Sequence, residues 1–217
     1  SPFPGFLISR QMEHWSIAKP AVHAEGGVVV SQHYQAAEAG ARVLAKGGNA
    51  VDAAIAAGFA LGAVEPWMSG LGGCGFMTVY LADTGKSYAV EFGVRASGAL
   101  NPDDYPLSSG FDSDLFAWPG VVDNRNVLGP HSVAVPGYVA GLALAADRFA
   151  TLSWGELLSP AISLVQQGLT VDWYSSLKIA SSAQDIAGFE STRSVYLPDG
   201  QVPMGHWAGL PPVIELK

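Results

Sequence analysis

Gly47-Gly48-Asn49-Ala50-Val51-Asp52-Ala53-Ala54 carries the reading that decides the fold. Two glycines stop one helix, Asn49 can cap the next, and Asp52 falls in its first turn, where a carboxylate suits the helix dipole. The second helix presents Ala53, Ala54, Ala57 and Ala60, a face small enough for another helix to approach closely. The helix before it is expected to take Ser31 as N-cap and to run to about Lys46. The unit is therefore an αα-hairpin with a turn of about two residues. Upstream of it, Val28-Val29-Val30 reads as a short strand.

Downstream of Pro66 the period changes from helical to alternating. Residues 76–82 and 87–92 read as two strands joined through Asp83-Thr84-Gly85-Lys86, with Gly85 where a positive φ is needed. Residues 101–129, rich in Asp, Pro, Ser and Gly, show no period and read as a long ordered loop holding one short helix. Residues 137–149 look helical. Ser153-Trp154-Gly155-Glu156 is a capping-box pattern opening a helix that ends at Gly168. From Ala180 onward periodicity is lost, and Leu210-Pro211-Pro212 reads as extended chain.

Composition bounds the setting. The 217 residues exceed one average domain, and 49% hydrophobic content is ample for a core, which excludes disorder. Only 14% of residues are charged, against about 25% in an ordinary globular chain, and there are 26 glycines. Some of this surface is expected to be covered by other protein. A net charge of −8 and the lack of basic clusters argue against nucleic-acid binding. The longest apolar run, residues 50–64, is broken by Asp52, Gly58 and Gly62 and falls short of the ~20 residues that span a bilayer. Cys74, the single cysteine, has no intrachain disulfide partner. No signal peptide is visible in residues 1–20, so a cytoplasmic setting is expected, or a periplasmic one if the N-terminus has been processed.

Several motifs weaken under their context. Gly70-Leu71-Gly72-Gly73-Cys74-Gly75 satisfies G-x-G-x-x-G with Glu91 downstream, but a dinucleotide fingerprint must follow a strand and open a helix, and here a strand follows. A tight turn is the better account. His23-Ala24-Glu25 matches H-x-E, yet the cysteine pair of a zinc deaminase is absent. His14, His23 and His33 do not share a helix face, and Asp112 and Asp114 lack the Gly and Glu of a calcium loop, so no metal and no cofactor is expected. Ser1 could act as an N-terminal nucleophile through its own amine, but Ser1-Pro2 precedes an irregular segment where such a nucleophile normally begins a strand.

Three blocks in order, Ser31-Gln32-His33-Tyr34 to Gly40, Gly47 to Ala54, and Glu65-Pro66-Trp67-Met68-Ser69-Gly70-Leu71-Gly72-Gly73, resemble the γ-glutamyltranspeptidase family. Ala134-Val135-Pro136-Gly137 and Trp154-Gly155-Glu156-Leu157-Leu158 to Pro160-Ala161 continue the likeness, which covers about residues 27–170. The resemblance implies an α+β fold, the four-layer αββα sandwich of the N-terminal nucleophile hydrolases, whose autoprocessed precursor yields a large and a small chain. This sequence is then the large-chain part, residues 1–217 forming an incomplete half of one domain that a separate small chain completes. The family's nucleophile is a Thr beginning the small chain, and its oxyanion glycines lie there too, so no catalytic residue is expected here.

The large chain of the family supplies an Arg in a pattern like Asp-Phe-Arg-Glu-x-Ala-Pro, which holds the α-carboxylate of a γ-glutamyl group. Here the segment is Val90-Glu91-Phe92-Gly93-Val94-Arg95-Ala96-Ser97, so Gly93 stands where that Arg should be and Arg95 follows two residues later. A shift of two on a strand returns to the same face, which makes Arg95 the candidate substrate-binding residue, able to take a carboxylate by two parallel hydrogen bonds. The competing reading is a surface ion pair with Asp103 or Asp104. The implied partners are the small chain and a small-molecule amide bearing a carboxylate. The implied activity is amide hydrolysis or acyl transfer of an acylase-like kind; the alternatives are a true γ-glutamyl transpeptidase or glutathione hydrolase, and a non-catalytic binding or structural subunit.

Overall fold

The computed structural model describes residues 21–111 and 116–203. Its first unit is the helical hairpin, α1 (Tyr34–Ala45) and α2 (Ala50–Val64). Asn49 Oδ1 accepts from the amides of Val51 at 2.8 Å and Asp52 at 3.0 Å, while Asp52 Oδ2 accepts from the Asn49 amide at 2.7 Å, a reciprocal cap. Ala36 and Ala39 of α1 meet Ala60 of α2 in one small buried cluster and Val43 meets Ala53 and Ala56 in another, and a Cβ on Gly40 would stand 2.9 Å from the Ala53 carbonyl oxygen. Ala54, expected on the packed face, is exposed.

The expected cap at Ser31 lies two residues too early. Its hydroxyl accepts from the His33 amide at 3.4 Å, a local turn, and His33 Nδ1 caps α1 by accepting from the Gln35 amide at 3.3 Å. Val28-Val29-Val30 is not a strand, because no described segment pairs with it; Val29 instead fills the gap over Gly40.

β1 (Gly75–Leu81) and β2 (Lys86–Phe92) form an antiparallel hairpin with Gly75 opposite Phe92 and Val79 opposite Tyr88. The turn between them holds Gly85 at φ +64°. One face of the hairpin sends Val79, Val90 and Phe92 into the main core. There they meet Val51, Ile55 and Phe59 of α2, Leu142 and Ala145 of α3 (Tyr138–Phe149), and Leu157 and Ala161 of α4 (Trp154–Gln167). The opposite face leaves Phe76 76% and Tyr80 64% exposed. The architecture is α+β, a helical layer over one face of a sheet.

Residues 101–129 depart from the expected loop. After a 3-10 turn at Pro102–Asp104, β3 (Leu107–Phe111) and β4 (Pro119–Val121) pair irregularly through Leu107 opposite Val121 and Phe111 opposite Pro119. Their period is unreadable in sequence because β3 is exposed along its whole length and buries neither face. The tail also differs from expectation. α5 (Trp173–Ser181), α6 (Ala183–Ala187) and α7 (Glu190–Tyr196) are helical but too short to display a 3.6-residue period, and they enclose Leu169, Val171, Ile179 and Leu197. Leu210, Pro211 and Pro212 lie outside the described residues. No described helix is long and apolar enough to cross a membrane.

Ser153 and Glu156 form the expected capping box, and Gly168 at φ +83° ends α4. Asn49 does more than cap: its Nδ2 donates to the Phe149 carbonyl at 2.7 Å, joining the α1–α2 turn to the end of α3. Asn49→Ala is expected to lower stability by about 2 kcal/mol, a lost cap plus a lost tertiary hydrogen bond. Urea unfolding checks this, and a loss below about 0.5 kcal/mol would show that the cap is dispensable.

Candidate functional site

Three of the motif segments, ending near Gly73, Arg95 and Gly137, meet at one place. α2 ends at Val64 with Glu65 as its C-cap, and the Glu65 carbonyl accepts from the amides of Met68 at 3.0 Å and Ser69 at 2.9 Å, reversing the chain into the glycine turn. That turn is closed by Gly73 N–H donating to the Gly70 carbonyl at 3.1 Å and leads directly into β1, so the tight-turn reading of the glycine motif holds. The Gly73 carbonyl accepts from the Tyr138 amide at 3.1 Å, fixing the turn to the start of α3.

Tyr138 is packed edge-on against Phe59 and Phe92, with ring centroids 5.8 and 6.0 Å away, and burial pushes its phenol pKa up. A Cβ on Gly58 would stand 2.7 Å from its hydroxyl oxygen. At the end of β2 the chain leaves its partner strand and forms a new bridge. Arg95 N–H donates to the Val135 carbonyl at 3.1 Å, and Val135 N–H donates to the Arg95 carbonyl at 2.8 Å. The described residues between Arg95 and Val135 leave and return through that bridge.

An open groove of about 510 Å³ lies here, bordered by Glu91 to Arg95, Val135 to Gly137, and Ala140, Gly141 and Leu144 of α3. Arg95 is exposed at its edge. Among the described residues Arg95 makes no ion pair: the two salt bridges are Arg42 with Glu38 and Arg193 with Glu190, so Asp103 and Asp104 do not take its charge. A Cβ placed on Gly93 meets nothing within 4 Å, so that position is open.

Other sequence candidates are not gathered here. His23 and Glu25 are exposed, ahead of α1. No group of three His, Cys, Asp or Glu side chains that could hold a metal ion occurs among the described residues. Ser1, His14, Asp112 and Asp114 lie outside the described residues. Cys74 is exposed beside Gly75. The sequence reading missed the roles of Phe92, Gly137 and Gly141, which line the groove, and of Tyr138, which packs against Phe92. A signal for two of them was present, since Gly137 and Gly141 are four apart and share a helix face.

Comparison with known proteins follows the same blocks. The sequence model of the gamma-glutamyltranspeptidase family matches residues 36–208. The Acylase ACY 1 proenzyme of Pseudomonas sp. (strain V22) is 39% identical over 183 residues, covering 84% of this chain and 32% of that protein. The Glutathione hydrolase proenzyme of Bacillus subtilis (strain 168) is 36% identical over 175 residues, covering 81% of this chain and 28% of that protein. The chain thus spans about a third or less of the length of these curated relatives. The crystal structure of Helicobacter pylori gamma-glutamyltranspeptidase matches with a TM-score of 0.77 at 26% identity, covering 88% of this chain and 52% of that one. By a match that runs from the helical hairpin through the groove to the short C-terminal helices, this chain belongs to the γ-glutamyltranspeptidase family.

Proposed function

We propose that this chain is the large-chain part of an acylase-like amide hydrolase or acyltransferase. In this reading residues 1–217 form part of one αββα domain, and a small chain cut from the same precursor completes it and begins with the nucleophilic Thr. Its hydroxyl attacks the amide carbonyl with its own α-amine as base; the C–N bond breaks, the amine leaves with the proton, and water or another amine then takes the acyl group. This chain's part is to hold the substrate, with Arg95 binding an acid group on the acyl side. The observation that carries the reading is Arg95, unpaired among the described residues, at the edge of the groove that the 91–95 and 135–137 segments border. The exposed Phe76 and Tyr80 face of the hairpin supports a completing sheet. The setting is cytoplasmic, or periplasmic after processing, and no cofactor is involved.

Arg95→Ala in the complete enzyme is expected to raise KM for an acid-bearing acyl amide, or lower kcat/KM, by about 10- to 150-fold, the range of charge-assisted hydrogen bonds. Unchanged kinetics remove Arg95 from the site. True γ-glutamyl transfer is the second reading, favoured by Glu91, whose acid borders the same groove and suits the α-ammonium of a γ-glutamyl group. It predicts turnover of γ-glutamyl-p-nitroanilide. Inactivity there, with activity on glutaryl-p-nitroanilide, rejects it. A purely binding or structural subunit is rejected if a covalent amide-directed inhibitor labels a Thr-initiated small chain.

A further inference from the structure

We infer that Phe92 is a positioning residue for Arg95, and that Gly137 and Gly141 of the facing segment exist to receive it. The inference rests on the reading of Arg95 as the acid-binding group. Phe92 is only 8% exposed although it ends its strand. Its ring packs edge-on against Tyr138 and is also closely approached by two glycines: an added Cβ would stand 2.6 Å from the ring on Gly75 and 2.1 Å from ring Cγ on Gly141. On Gly137 it would stand 2.5 Å from the Phe92 carbonyl oxygen. Ring and backbone of the same residue are thus seated in glycine gaps on α3 and at its start.

Three residues later the Arg95–Val135 bridge pins the chain again. Between the two pins stand Gly93, with nothing near its Cβ position, and exposed Val94, so no side chain between them anchors the path. The course of the 92–95 segment is set by backbone and by the Phe92 seat: the Gly93 carbonyl lies close over Gly137, and the bridge fixes the far end. Bidentate binding of a carboxylate needs the guanidinium in one place and orientation, and a displacement of about 1 Å can cost as much as ~100-fold. Phe92 therefore acts on substrate binding through Arg95.

The test uses the complete two-chain enzyme and two probes. One is whichever acid-bearing anilide the wild type turns over, glutaryl- or γ-glutamyl-p-nitroanilide. The other is the uncharged pentanoyl-p-nitroanilide. Phe92→Leu keeps an apolar side chain but empties part of the seat, and Gly141→Ala forces the ring out of it. In each variant KM for the acid-bearing probe is expected to rise about tenfold with kcat within about twofold, while KM for the uncharged probe stays put. A merely structural role moves both probes in parallel. An unchanged KM in Phe92→Leu, when Arg95→Ala raises it, overturns the positioning role and leaves the anchor standing; no effect of Arg95→Ala overturns both. Should Gly141→Ala fail to fold, Phe92→Leu decides alone.

Discussion

Asp52→Ala is expected to cost about 3–5 kcal/mol of folding stability, the range for breaking a buried charged network. The carboxylate is 0% exposed and accepts from both sides of a tertiary junction. The Asn49 amide reaches it from the α1–α2 turn at 2.7 Å. From the α3–α4 loop come the Thr151 hydroxyl at 2.6 Å, the Thr151 amide at 3.0 Å and the Leu152 amide at 3.2 Å. Removing the acceptor strands these donors in the interior, and each unsatisfied donor costs about 1–3 kcal/mol, with partial relief from relaxation. Asp52→Asn keeps the shape and one acceptor oxygen and should cost less. Burial by itself would raise the Asp52 pKa, but the bonds from Thr151, Asn49 and Leu152 outweigh it and hold the carboxyl below its ordinary value. A depressed folded-state pKa gives stability that is present above the unfolded-state value, about pH 4, and is lost as pH falls through the folded one. Urea titrations between pH 7 and pH 2 should show that loss in the wild type and a flatter profile in Asp52→Asn. Equal stability of Asp52→Ala and wild type at pH 7 would contradict this account of the junction.

Gly137→Ala is the second large effect. The new Cβ would lie 2.5 Å from the Phe92 carbonyl oxygen and 2.7 Å from that of Gly93. Both obstacles are backbone, so no rotamer change relieves them and the end of β2 must move away from α3. A loss of about 3 kcal/mol or more is expected, the upper end for overpacking. Gly155→Ala is the control: nothing lies within 4 Å of its Cβ position inside α4, and it should be neutral or stabilising by up to ~1 kcal/mol. Comparable urea midpoints for the two variants would show that the close approach is not required.

These two residues also mark how far the sequence could be read. Asn49 and Asp52 identify a helix start through local chemistry, so the αα-hairpin and the turn between its helices were legible, whereas the start of α1 at His33 was not. What Asp52 does across the molecule was not, because Thr151 is 99 positions away and nothing in its neighbours advertises a partner. The β1–β2 hairpin was legible from alternation and Gly85. β3 and β4 were not, since an exposed strand has no buried face to imprint a period. At the site, Arg95 was visible only against the family pattern. The seat for Phe92 stayed hidden because a glycine in sequence does not say whether it serves a positive φ, as Gly85 does, or an approaching neighbour, as Gly141 does.

The high glycine and low charge content take on a specific meaning in this light. Several glycines sit where helices, turn and strand end press together, and the exposed aromatic face of the hairpin is the surface that a completing chain would cover. Under the proposed function, this chain works only as one part of a processed enzyme. Intact mass and N-terminal sequencing of every chain in the purified mature protein, after treatment with a covalent amide-directed inhibitor, test it most directly. The account predicts two chains from one precursor, the smaller beginning with Thr and carrying the label on that residue. A single uncut chain, or a small chain that begins with another residue and stays unlabelled, would contradict it.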